Sequence, residues 1–333
     1  MAAEPGRWPG RLAGLAAWSY LVGSLSAWAL VGLVGERHWL GTLFLFGPRY
    51  TLLLPVPWLV GVVSTLGRRR GLRLAAVLAG AAVVAAPVAG LNLGTSRAGG
   101  PGVRVRVMTL NRWVAPLDVP RLAAYIERAG VDVLCTQEGT RDPAFDAYLA
   151  GRGWHRDRQG RLATRYPILG ELPTLDSRFR RTAAARCRLL IAPGVEALFV
   201  SAHLPTMHHG LDALKRGDAG AFRAAIAVRR EEMALFAELL AGARGIPTIV
   251  AADLNTPGQS DLLAGLLRVS GLHSAFDDVG LGLGATFPAH RPWARLDHIL
   301  ASPEWTFTSC RVGPRVGSDH LPVLAEAVLG PRP

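Results

Sequence analysis

Cysteine and several familiar catalytic motifs are scarce or absent in this chain of 333 residues. The three cysteines, Cys135, Cys187 and Cys310, cannot all pair, and no CxxC or Cys/His spacing typical of zinc sites occurs. Each cysteine lies in or beside a strand-like run, so we expect buried free thiols. The P-loop, the GxSxG elbow and the HExxH helix are also missing, which argues against the enzyme classes that these motifs mark.

Charged residues are sparse as well. They make up 19% of the chain and 50% of the residues are apolar, which excludes a disordered protein. The net charge is +12, and Lys215 is the sole lysine. Residues 1–98 contain nine arginines against Glu4 and Glu36, a net +7, whereas residues 99–333 carry a net +5. The excess charge therefore belongs mainly to the hydrophobic first third, which weakens the nucleic-acid interpretation that +12 suggests.

Long charge-free stretches fill the first third, at residues 12–35, 50–67 and 74–96. The first would span about 36 Å as a helix, enough to cross a bilayer and too long for a signal peptide. A mid-membrane Arg49 would cost about 2.5–3.5 kcal/mol, so we expect residues 39–49 to be interfacial or re-entrant. The pattern predicts a transmembrane anchor of three helices over residues 1–98, with a flexible polar hinge at residues 95–102.

Arginines mark one side of this anchor. They precede the first stretch and fill the loop between the second and third stretches, at Arg7, Arg11, Arg68, Arg69, Arg70 and Arg73. Short arginine-rich loops stay in the cytoplasm. We therefore predict a multi-pass plasma-membrane protein with a cytoplasmic N-terminus and with residues 99–333 outside the cytoplasm.

Residues 99–333 alternate strand-like and helix-like segments. The strand pattern recurs at residues 103–110, 131–136, 198–202, 248–252, 296–301, 305–312 and 321–328, and helical spacing covers residues 118–128, 219–241 and 260–269. This alternation predicts an α/β or α+β domain that is large enough to bury its own core.

Polar residues follow the apolar runs of this domain, at Asn111, Gln137-Glu138, His203, Asp253, Asn255, Asp319 and His320. Loops at one end of a sheet commonly carry reactive groups. The carboxylates of Glu138 and Asp319 are hard oxygen donors suited to Mg²⁺ or Mn²⁺, and Asn111 could join them directly or through water. The full set suits metal-assisted hydrolysis of a phosphate ester.

Together these segments resemble the motif series of the endonuclease/exonuclease/phosphatase superfamily across about residues 103–328. The motifs are TLN ending at Asn111, QE ending at Glu138, SAH ending at His203, DLN at residues 253–255, RLDHI around Asp297 and SDH ending at His320. The resemblance implies a four-layer αββα sandwich and one divalent metal, usually Mg²⁺.

The resemblance also implies roles for the site residues. Glu138 would be the principal metal ligand, with Asn111 and Asp319 nearby. His320 would be the general base or a phosphate-stabilising imidazole, and Asp297 would orient it. A carboxylate beside an imidazole fixes its tautomer and raises its basicity, which agrees with this pairing.

Further positions match the family's phosphate and water contacts. Asp253 would position or deprotonate the attacking water, Asn255 would hold a phosphoryl oxygen, and His203 would stabilise the transition state or protonate the leaving oxygen. The chain departs from the family pattern beside these residues, with Ala252 for a glycine, Leu254 for an aromatic residue and His298 for a tyrosine. For His298 we expect a structural role.

Other features leave alternatives open. The basic cluster of Arg178, Arg180, Arg181, Arg186 and Arg188 could grip a pyrophosphate or lipid headgroup, or form a solvated strand face. We expect the adjacent His208 and His209 to lie in a loop, and Trp154 and Trp293 to belong to the core.

The predicted membrane anchor narrows the class of substrate that we expect. Three spans followed by this domain resemble membrane-bound family members linked to teicoplanin resistance in actinobacteria, which implies action on a cell-envelope lipid phosphate, such as an undecaprenyl-linked intermediate. The expected partners are a lipid bilayer and an anionic phosphate substrate; the sequence does not indicate an oligomeric state. Nucleic acid fits less well, because its binding favours an extended basic groove with stacking aromatics. The alternatives are a surface nuclease, a phospholipid phosphodiesterase and an inactive lipid-binding domain.

Overall fold

A computed structural model describes residues 7–66, 69–95, 97–112, 117–139, 142–173, 175, 178–179 and 181–331. The chain forms two compact units that meet in sequence between Leu91 and Asn92, with Gln259–Asp261 assigned to the first unit. Arg68 and Arg180, and the ends of two predicted spans at Gly67 and Ser96, lie outside the described residues.

The first unit is helical. Its elements are α1 (Arg7–Ala29), which continues through a π-helical turn (Leu30–Val34) and a 3₁₀ turn (Gly35–Arg37), α2 (Trp39–Leu45), a 3₁₀ segment (Arg49–Leu53), α3 (Val56–Thr65), and α4 (Arg70–Val83), which ends in a π-helical turn (Val84–Val88). Among the described residues, two helices are long and apolar enough to cross a membrane, Trp8–Arg37 with 30 residues and Arg70–Val88 with 19. The first lies near the N-terminus and exposes large side chains such as Trp8, Leu12 and Leu15.

The predicted helix boundaries are only partly correct. The third helix ends at Val88 rather than Ser96, because Pro87 lies in its last turn and Gly90 takes a φ of +84°, where a helix cannot continue. The second predicted span, residues 50–67, corresponds to Arg49–Thr65. This segment forms a pair with Trp39–Leu45, in the stretch predicted as interfacial or re-entrant, and the pair is bent by 79°, a broken span or a re-entrant loop. A three-helix anchor thus stays a prediction.

The second unit is an α/β domain. Its strands are β1 (Asn92–Leu93), β2 (Val103–Asn111), β3 (Val133–Gln137), β4 (His155–Arg156), β5 (Leu162–Thr164), β6 (Ile168–Glu171), β7 (Ala183–Ala192), β8 (Val195–His203), β9 (Thr248–Asp253), β10 (His273–Ser274), β11 (Leu281–Gly282), β12 (Asp297–Ala301), β13 (Trp305–Val312) and β14 (Val323–Leu329). Its helices are α5 (Val119–Ala129), α6 (Pro143–Gly151), α7 (His208–Lys215), α8 (Ala219–Ala241), α9 (Asp261–Ser270) and α10 (Ala275–Val279).

Within the described residues these strands form two six-stranded sheets, ordered β13-β14-β2-β3-β5-β4 and β10-β12-β9-β8-β7-β6, and a β1–β11 ribbon. An apolar cluster that includes Phe199 and Trp305 contains side chains of both sheets. Helices α5 and α6 pack on the first sheet through residues such as Ile126 and Phe145, and α8 packs on the second through Phe236. The predicted α/β class, with sheets flanked by helices, is therefore confirmed; the four-layer order stays a prediction.

Parallel pairing places the predicted polar residues at one edge. β2 and β3 are parallel and end on the register pair Asn111–Gln137, while β8 and β9 are parallel and end on His203–Asp253. The antiparallel β12 brings Asp297 opposite Asp253. Because the carboxyl ends of parallel strands meet at the same edge, the alternating sequence pattern is enough to gather these side chains.

Local predictions mostly hold in this unit. Helix α8 and strand β13 have the predicted bounds, and Asp118 caps α5 by accepting a hydrogen bond from the Arg121 amide at 3.1 Å. The predicted loop at His208 and His209 is wrong, because these are the first two residues of α7, where His208 pairs with Asp212 at 3.0 Å.

The predicted hinge at residues 95–102 is attached to the second unit rather than free. The Thr95 hydroxyl donates to the Asp278 carbonyl, and the Arg97 guanidinium lies 3.4 Å from the Asp278 carboxylate. Just before it, β1 pairs with β11, and the Asn92 amide donates to the Phe276 carbonyl at 2.6 Å. The connection is held by contacts with residues about 180 to 190 positions away, which a local composition signal cannot reveal.

Candidate metal and phosphate site

Two strained residues shape the edge where the strands end. Among the described residues other than glycine, Glu138 and Asn255 alone have a positive φ, at +49° each. Glu138 follows β3 directly and is itself followed by Gly139 at φ +72°, so the chain turns away sharply and leaves the carboxylate partly exposed. Such strain costs of order 1–3 kcal/mol per residue and concentrates at functional sites.

Asn111 joins the two halves of the site. Its side-chain amide donates to Glu138 Oε1 at 3.0 Å and to Asp253 Oδ2 at 2.8 Å. Asn111 ends β2 and Glu138 follows β3 in one sheet, whereas Asp253 ends β9 in the other, so this single side chain connects both sheets. Asn111 and Asp253 are almost completely buried, with 1% and 0% exposure.

His203 faces the same carboxylates. Its Nε2 lies 3.2 Å from Glu138 Oε1 and 3.8 Å from Asp253 Oδ2. Asn255 completes this group: its side-chain amide lies 3.1 Å from His203 Nε2, and its backbone N–H donates to Asp253 Oδ1 at 2.8 Å. The structure therefore brings together five of the predicted site residues, Asn111, Glu138, His203, Asp253 and Asn255.

His320 forms a second group through Asp297. The Nδ1 of His320 lies 2.8 Å from Asp297 Oδ2, and its Nε2 lies 3.9 Å from Asp253 Oδ2. All three side chains are buried, and Asp253 belongs to both groups. The second oxygen of Asp297, Oδ1, is buried without a hydrogen-bond partner among the described residues, so His320 is the main partner of this carboxylate.

Asp319 lies at the border of the site. The Ser318 hydroxyl donates to the Asn111 carbonyl at 2.6 Å and accepts from the His320 amide at 3.0 Å, which holds this turn against β2. The carboxylate of Asp319 is half-buried, and within the described part of the chain it belongs to neither compact group of potential metal ligands. Burial raises the pKa of Asp319, and the negative charge of Glu138 raises it further.

The charges at this edge act on one another. The hydrogen bond from His203 lowers the pKa of Glu138 to about 2. Burial and the adjacent Asp297 raise the pKa of Asp253. Burial disfavours the charged form of His320, but the charges of Asp297 and Asp253 outweigh burial and raise its pKa to about 10. His320 is therefore an imidazolium at neutral pH in the metal-free protein.

The donor chemistry fits a hard divalent cation. Glu138, His203 and Asp253 each offer a ligand atom, and these atoms lie within 4.8 Å of one another; Asp253, Asp297 and His320 form a similar group. The second group is buried, and burial together with the charge of Asp297 raises the pKa of Asp253 there. Oxygen donors at this density suit Mg²⁺ or Mn²⁺, and a cation would relieve their mutual repulsion.

A buried polar network that was not predicted as functional lies beneath the site. The side-chain amide of Gln137 donates to Ser201 Oγ at 3.2 Å and to the Ala251 carbonyl at 3.3 Å, and its oxygen accepts from the Thr109 hydroxyl at 3.2 Å. The bonds to Ser201 and Ala251 cross from one sheet to the other, and Gln137 is the residue before Glu138. The available signal was a glutamine at the end of an otherwise apolar, buried strand.

Arg229 holds the loops that carry His203 and Asn255, and it too was missed. It is 3% exposed, and its guanidinium donates to the carbonyls of Pro205 at 2.7 Å and Asn255 at 2.8 Å and to the Thr256 hydroxyl at 3.1 Å. The sequence signal was an arginine at a core position of the apolar face of α8. His298 supports the same loop through Nε2 and the Thr256 carbonyl, 2.8 Å apart, which agrees with its predicted structural role.

Two residues of the segment Ala-Thr-Phe-Pro, at positions 285–288, also support the site. The Thr286 hydroxyl accepts from the Leu296 amide at 3.2 Å, just before Asp297, and the ring of Phe287 lies 4.9 Å from that of His320. Trp154 is a core residue, as predicted, and Trp293 is half-buried. The three cysteines are free and buried, which confirms their expected state.

The structure describes four arginines of the predicted basic cluster, Arg178, Arg181, Arg186 and Arg188. Arg178 lies 3.7 Å from Glu238, and Arg188 lies 3.7 Å from Glu196. The backbone amide of Arg181 donates to buried Glu232 at 2.9 Å. Arg186 donates to the Pro173 carbonyl at 2.5 Å. These described members are therefore held by different neighbours.

Solved structures with this fold include family members. An endonuclease/exonuclease/phosphatase family protein from Bacteroides thetaiotaomicron is 16% identical, with 70% of this chain and 100% of that chain covered and a TM-score of 0.53. A family protein from Bacteroides vulgatus is 17% identical, with 68% and 99% covered and a TM-score of 0.50. TDP2 of D. rerio, complexed with a single-strand DNA product, is 15% identical, with 67% and 98% covered and a TM-score of 0.50.

No curated protein matches the chain at a significant level. The family model for the endonuclease/exonuclease/phosphatase family matches residues 103–320, which include every predicted site residue from Asn111 to His320. Members of this family are phosphoesterases, and the fold agrees with that of the solved members. The chain belongs to the endonuclease/exonuclease/phosphatase family.

Proposed function

We propose that this protein is a membrane-anchored, divalent-metal-dependent phosphoesterase that hydrolyses phosphate esters of cell-envelope lipids outside the cytoplasm. The observation that carries the proposal is the convergence of Glu138, His203, Asp253, Asp297 and His320 in two groups that share Asp253. A module that only binds lipid needs no oriented imidazole–carboxylate pair beside a second cluster of carboxylate and imidazole ligands.

For the metal, we propose Glu138 as principal ligand, with Asn111 and Asp319 beside it, and Mg²⁺ or Mn²⁺ as the ion. Asn111 already contacts Glu138, and Asp319 is close enough for the charge of Glu138 to raise its pKa. When bound, the cation supplies positive charge that stabilises the phosphoryl oxygens.

The protonation states suggest which residues handle protons. His320, with a pKa raised to about 10, suits donation from Nε2 to a phosphoryl oxygen better than proton removal, while Asp297 orients it through Nδ1. Asp253, whose pKa burial and Asp297 raise, is the better acceptor for a proton of the attacking water. His203 is then positioned to protonate the leaving oxygen, and Asn255 to hold a phosphoryl oxygen.

The apolar helices favour a lipid-linked substrate. The two helices that could cross a bilayer precede the catalytic unit, and a membrane-bound enzyme meets membrane-bound phosphates first. This agrees with the resemblance to membrane-bound, teicoplanin-resistance-linked family members. The solved D. rerio protein carries a single-strand DNA product, so nuclease activity is the alternative that the substrate test includes.

The substrate test measures product release by the purified full-length protein in detergent with Mg²⁺. Prenyl pyrophosphate, phospholipid vesicles, p-nitrophenyl phosphate and single-strand DNA are compared, with His320→Ala as the background control. We expect the unmodified protein to release product from a lipid phosphate, prenyl pyrophosphate or phospholipid, only when Mg²⁺ is present. We expect no such release by His320→Ala. Cleavage of DNA alone would overturn the lipid assignment, and equal inactivity of both proteins on every substrate would overturn the hydrolase proposal.

The orientation test uses a C-terminal fusion. Arg69, Arg70 and Arg73 precede or begin α4, and positive charge of this density stays in the cytoplasm. With a cytoplasmic N-terminus and three crossings, the C-terminus lies outside. We therefore expect an alkaline phosphatase fusion after residue 333 to be active and a fluorescent cytoplasmic reporter at the same position to be dark. The opposite pair of signals would place the catalytic unit in the cytoplasm.

A further inference from the structure

A cavity rich in arginine is lined by residues other than the catalytic groups. The cavity, of about 490 Å³, opens beside β4–β5 of one sheet and β6–β7 of the other. Its lining includes three arginines, Arg156, Arg158 and Arg186, together with Gln159 and Glu171. The proposed roles of the catalytic residues make no use of it.

The strand register places this cavity at the same edge as the site. Ala183 pairs with His203, and the next two residues of β7, Ala184 and Ala185, line the cavity. On the other sheet, the Arg161 carbonyl accepts from the amide of Thr136 at 2.7 Å, two residues before Glu138. Neighbouring strands lie about 4.8 Å apart, so the backbone of β7 beside the cavity is one strand away from that of His203 and two strands away from that of Asp253.

The acidic side chains of the lining are occupied by backbone donors. Asp157 accepts from the amides of Leu162 at 2.7 Å and Gln159 at 3.0 Å. Glu171 accepts from the amide of Arg158 at 3.1 Å, while the Arg158 guanidinium is 4.0 Å away and its side chain is 91% exposed. The acids thus shape the loop, whereas the guanidinium of Arg158 remains open to a ligand.

The other two arginines are better fixed. Arg156 Nη1 lies 2.9 Å from Asp146, and Arg186 Nη2 donates to the Pro173 carbonyl at 2.5 Å. Burial lowers the pKa of Arg186, so this guanidinium gains from a nearby negative charge. A guanidinium has five N–H donors, and these contacts use only part of them.

We propose that this cavity binds a second phosphate group of the substrate, one that several covalent bonds separate from the phosphate that reacts. The proposal rests on the proposed phosphoesterase function and narrows its substrate class. The two phosphates of a pyrophosphate share one oxygen atom, so they are too close together for one to react while the other occupies the cavity. A pyrophosphate can therefore use the catalytic groups but gains nothing from the cavity, and the preferred substrate is a molecule with two separate phosphates.

The test compares two sugars that differ by one phosphate. Each sugar, glucose 1,6-bisphosphate or glucose 6-phosphate, is tested as a competitive inhibitor of the hydrolysis of whichever substrate the full-length protein accepts. The affinity of the same protein in detergent for each sugar is also measured by calorimetry. We expect the bisphosphate to bind at least about tenfold more tightly, since charge-assisted hydrogen bonds to guanidinium are among the strong ones.

Arginine variants assign that preference to the cavity. Two variants are made, Arg158→Gln, at an exposed side chain, and the double variant that adds Arg186→Gln. In both, the ratio of the affinity for glucose 1,6-bisphosphate to that for glucose 6-phosphate should fall close to one, while the affinity for glucose 6-phosphate stays the same. Arg188→Gln is the matched control, because Arg188 lies on β7 two residues beyond Arg186, contacts Glu196 and does not line the cavity.

The outcomes separate the two proposals. Equal affinities of the two sugars in the unmodified protein, or a preference that survives in Arg158→Gln and in a folded double variant, would overturn the second-phosphate site even if phosphate esters are hydrolysed. Lack of hydrolysis with a preserved, arginine-dependent affinity ratio in calorimetry would instead overturn the phosphoesterase function alone.

Discussion

Replacing Glu138 by glutamine is expected to lower kcat/KM for phosphate ester hydrolysis by about 10³-fold, since a bound metal contributes several kcal/mol to such reactions. Glutamine keeps the volume of the side chain but removes the charge. In the structure, Glu138 Oε1 accepts a hydrogen bond from the Asn111 side-chain amide at 3.0 Å and lies 3.2 Å from His203 Nε2. Its pKa of about 2 shows that this position strongly favours the anion, which is the form that a metal requires.

Metal binding provides a readout besides activity. Mg²⁺ that binds the folded state raises the melting temperature of the unmodified protein in a concentration-dependent way. In Glu138→Gln we expect this rise in melting temperature, the Mg²⁺ increment, to disappear below millimolar Mg²⁺. The experiment uses full-length protein in detergent and compares differential scanning calorimetry with turnover.

Glu196→Gln is the matched control for this substitution. Glu196 lies near the start of β8, at the opposite end of the strand that carries His203, and its side chain is 48% exposed beside Arg188. Both activity and the Mg²⁺ increment should be unchanged in this variant. Unchanged activity in Glu138→Gln, or a metal increment that persists there, would remove Glu138 from the role of principal ligand.

The edge of the sheets was predictable because its residues follow from local patterns. Asn111, His203 and Asp253 each end an apolar run, and parallel pairing of such runs gathers their ends. The same reasoning does not reveal the contacts beneath the site. Gln137 also ends an apolar run, but its importance, like that of Arg229, depends on partners 24 to 114 positions away that a local pattern does not show.

The helical unit shows a different limit. The charge-free stretch predicted a third helix that begins at residue 74, whereas α4 begins at Arg70. Arginine has a high helix propensity, so a helix can extend beyond its charge-free part. The absence of charge indicates which residues can lie inside a membrane, not where the helix begins. At the other end, Pro87 and Gly90 terminate the helix while the composition remains apolar. Hydropathy therefore located the apolar segments, and backbone chemistry set their ends.

The second large effect is expected at the His320–Asp297 pair. His320→Gln should lower kcat by about 10³-fold and Asp297→Asn by about 10²-fold, within the range for positioned proton donors and their orienting groups. The two groups act as one unit through the 2.8 Å contact between Nδ1 and Oδ2. The double variant should therefore be no slower than His320→Gln alone. Additive losses in the double variant would show that Asp297 acts independently of His320.

The pKa of His320 shows whether Asp297 orients and charges this imidazole or has only a structural role. In the metal-free protein, the pKa of His320 is raised to about 10, so its contribution to stability is complete below the unfolded value of about 6.5 and is lost as pH rises through about 10. Without the Asp297 charge, burial still opposes ionisation, so the pKa falls and that stability is lost at lower pH. Ring-carbon NMR of full-length protein in detergent with chelator measures the shift directly.

A second histidine–aspartate pair in this chain serves as the control. His273 Nδ1 lies 2.6 Å from Asp278 Oδ2, the same pair of atoms in a partly exposed setting away from the metal groups. Asp278→Asn should leave both kcat and the His320 resonance unchanged, although it removes the contact with Arg97. If Asp297→Asn leaves the His320 pKa near 10, then Asp253 alone holds the imidazolium, and the orienting role belongs to that shared carboxylate instead.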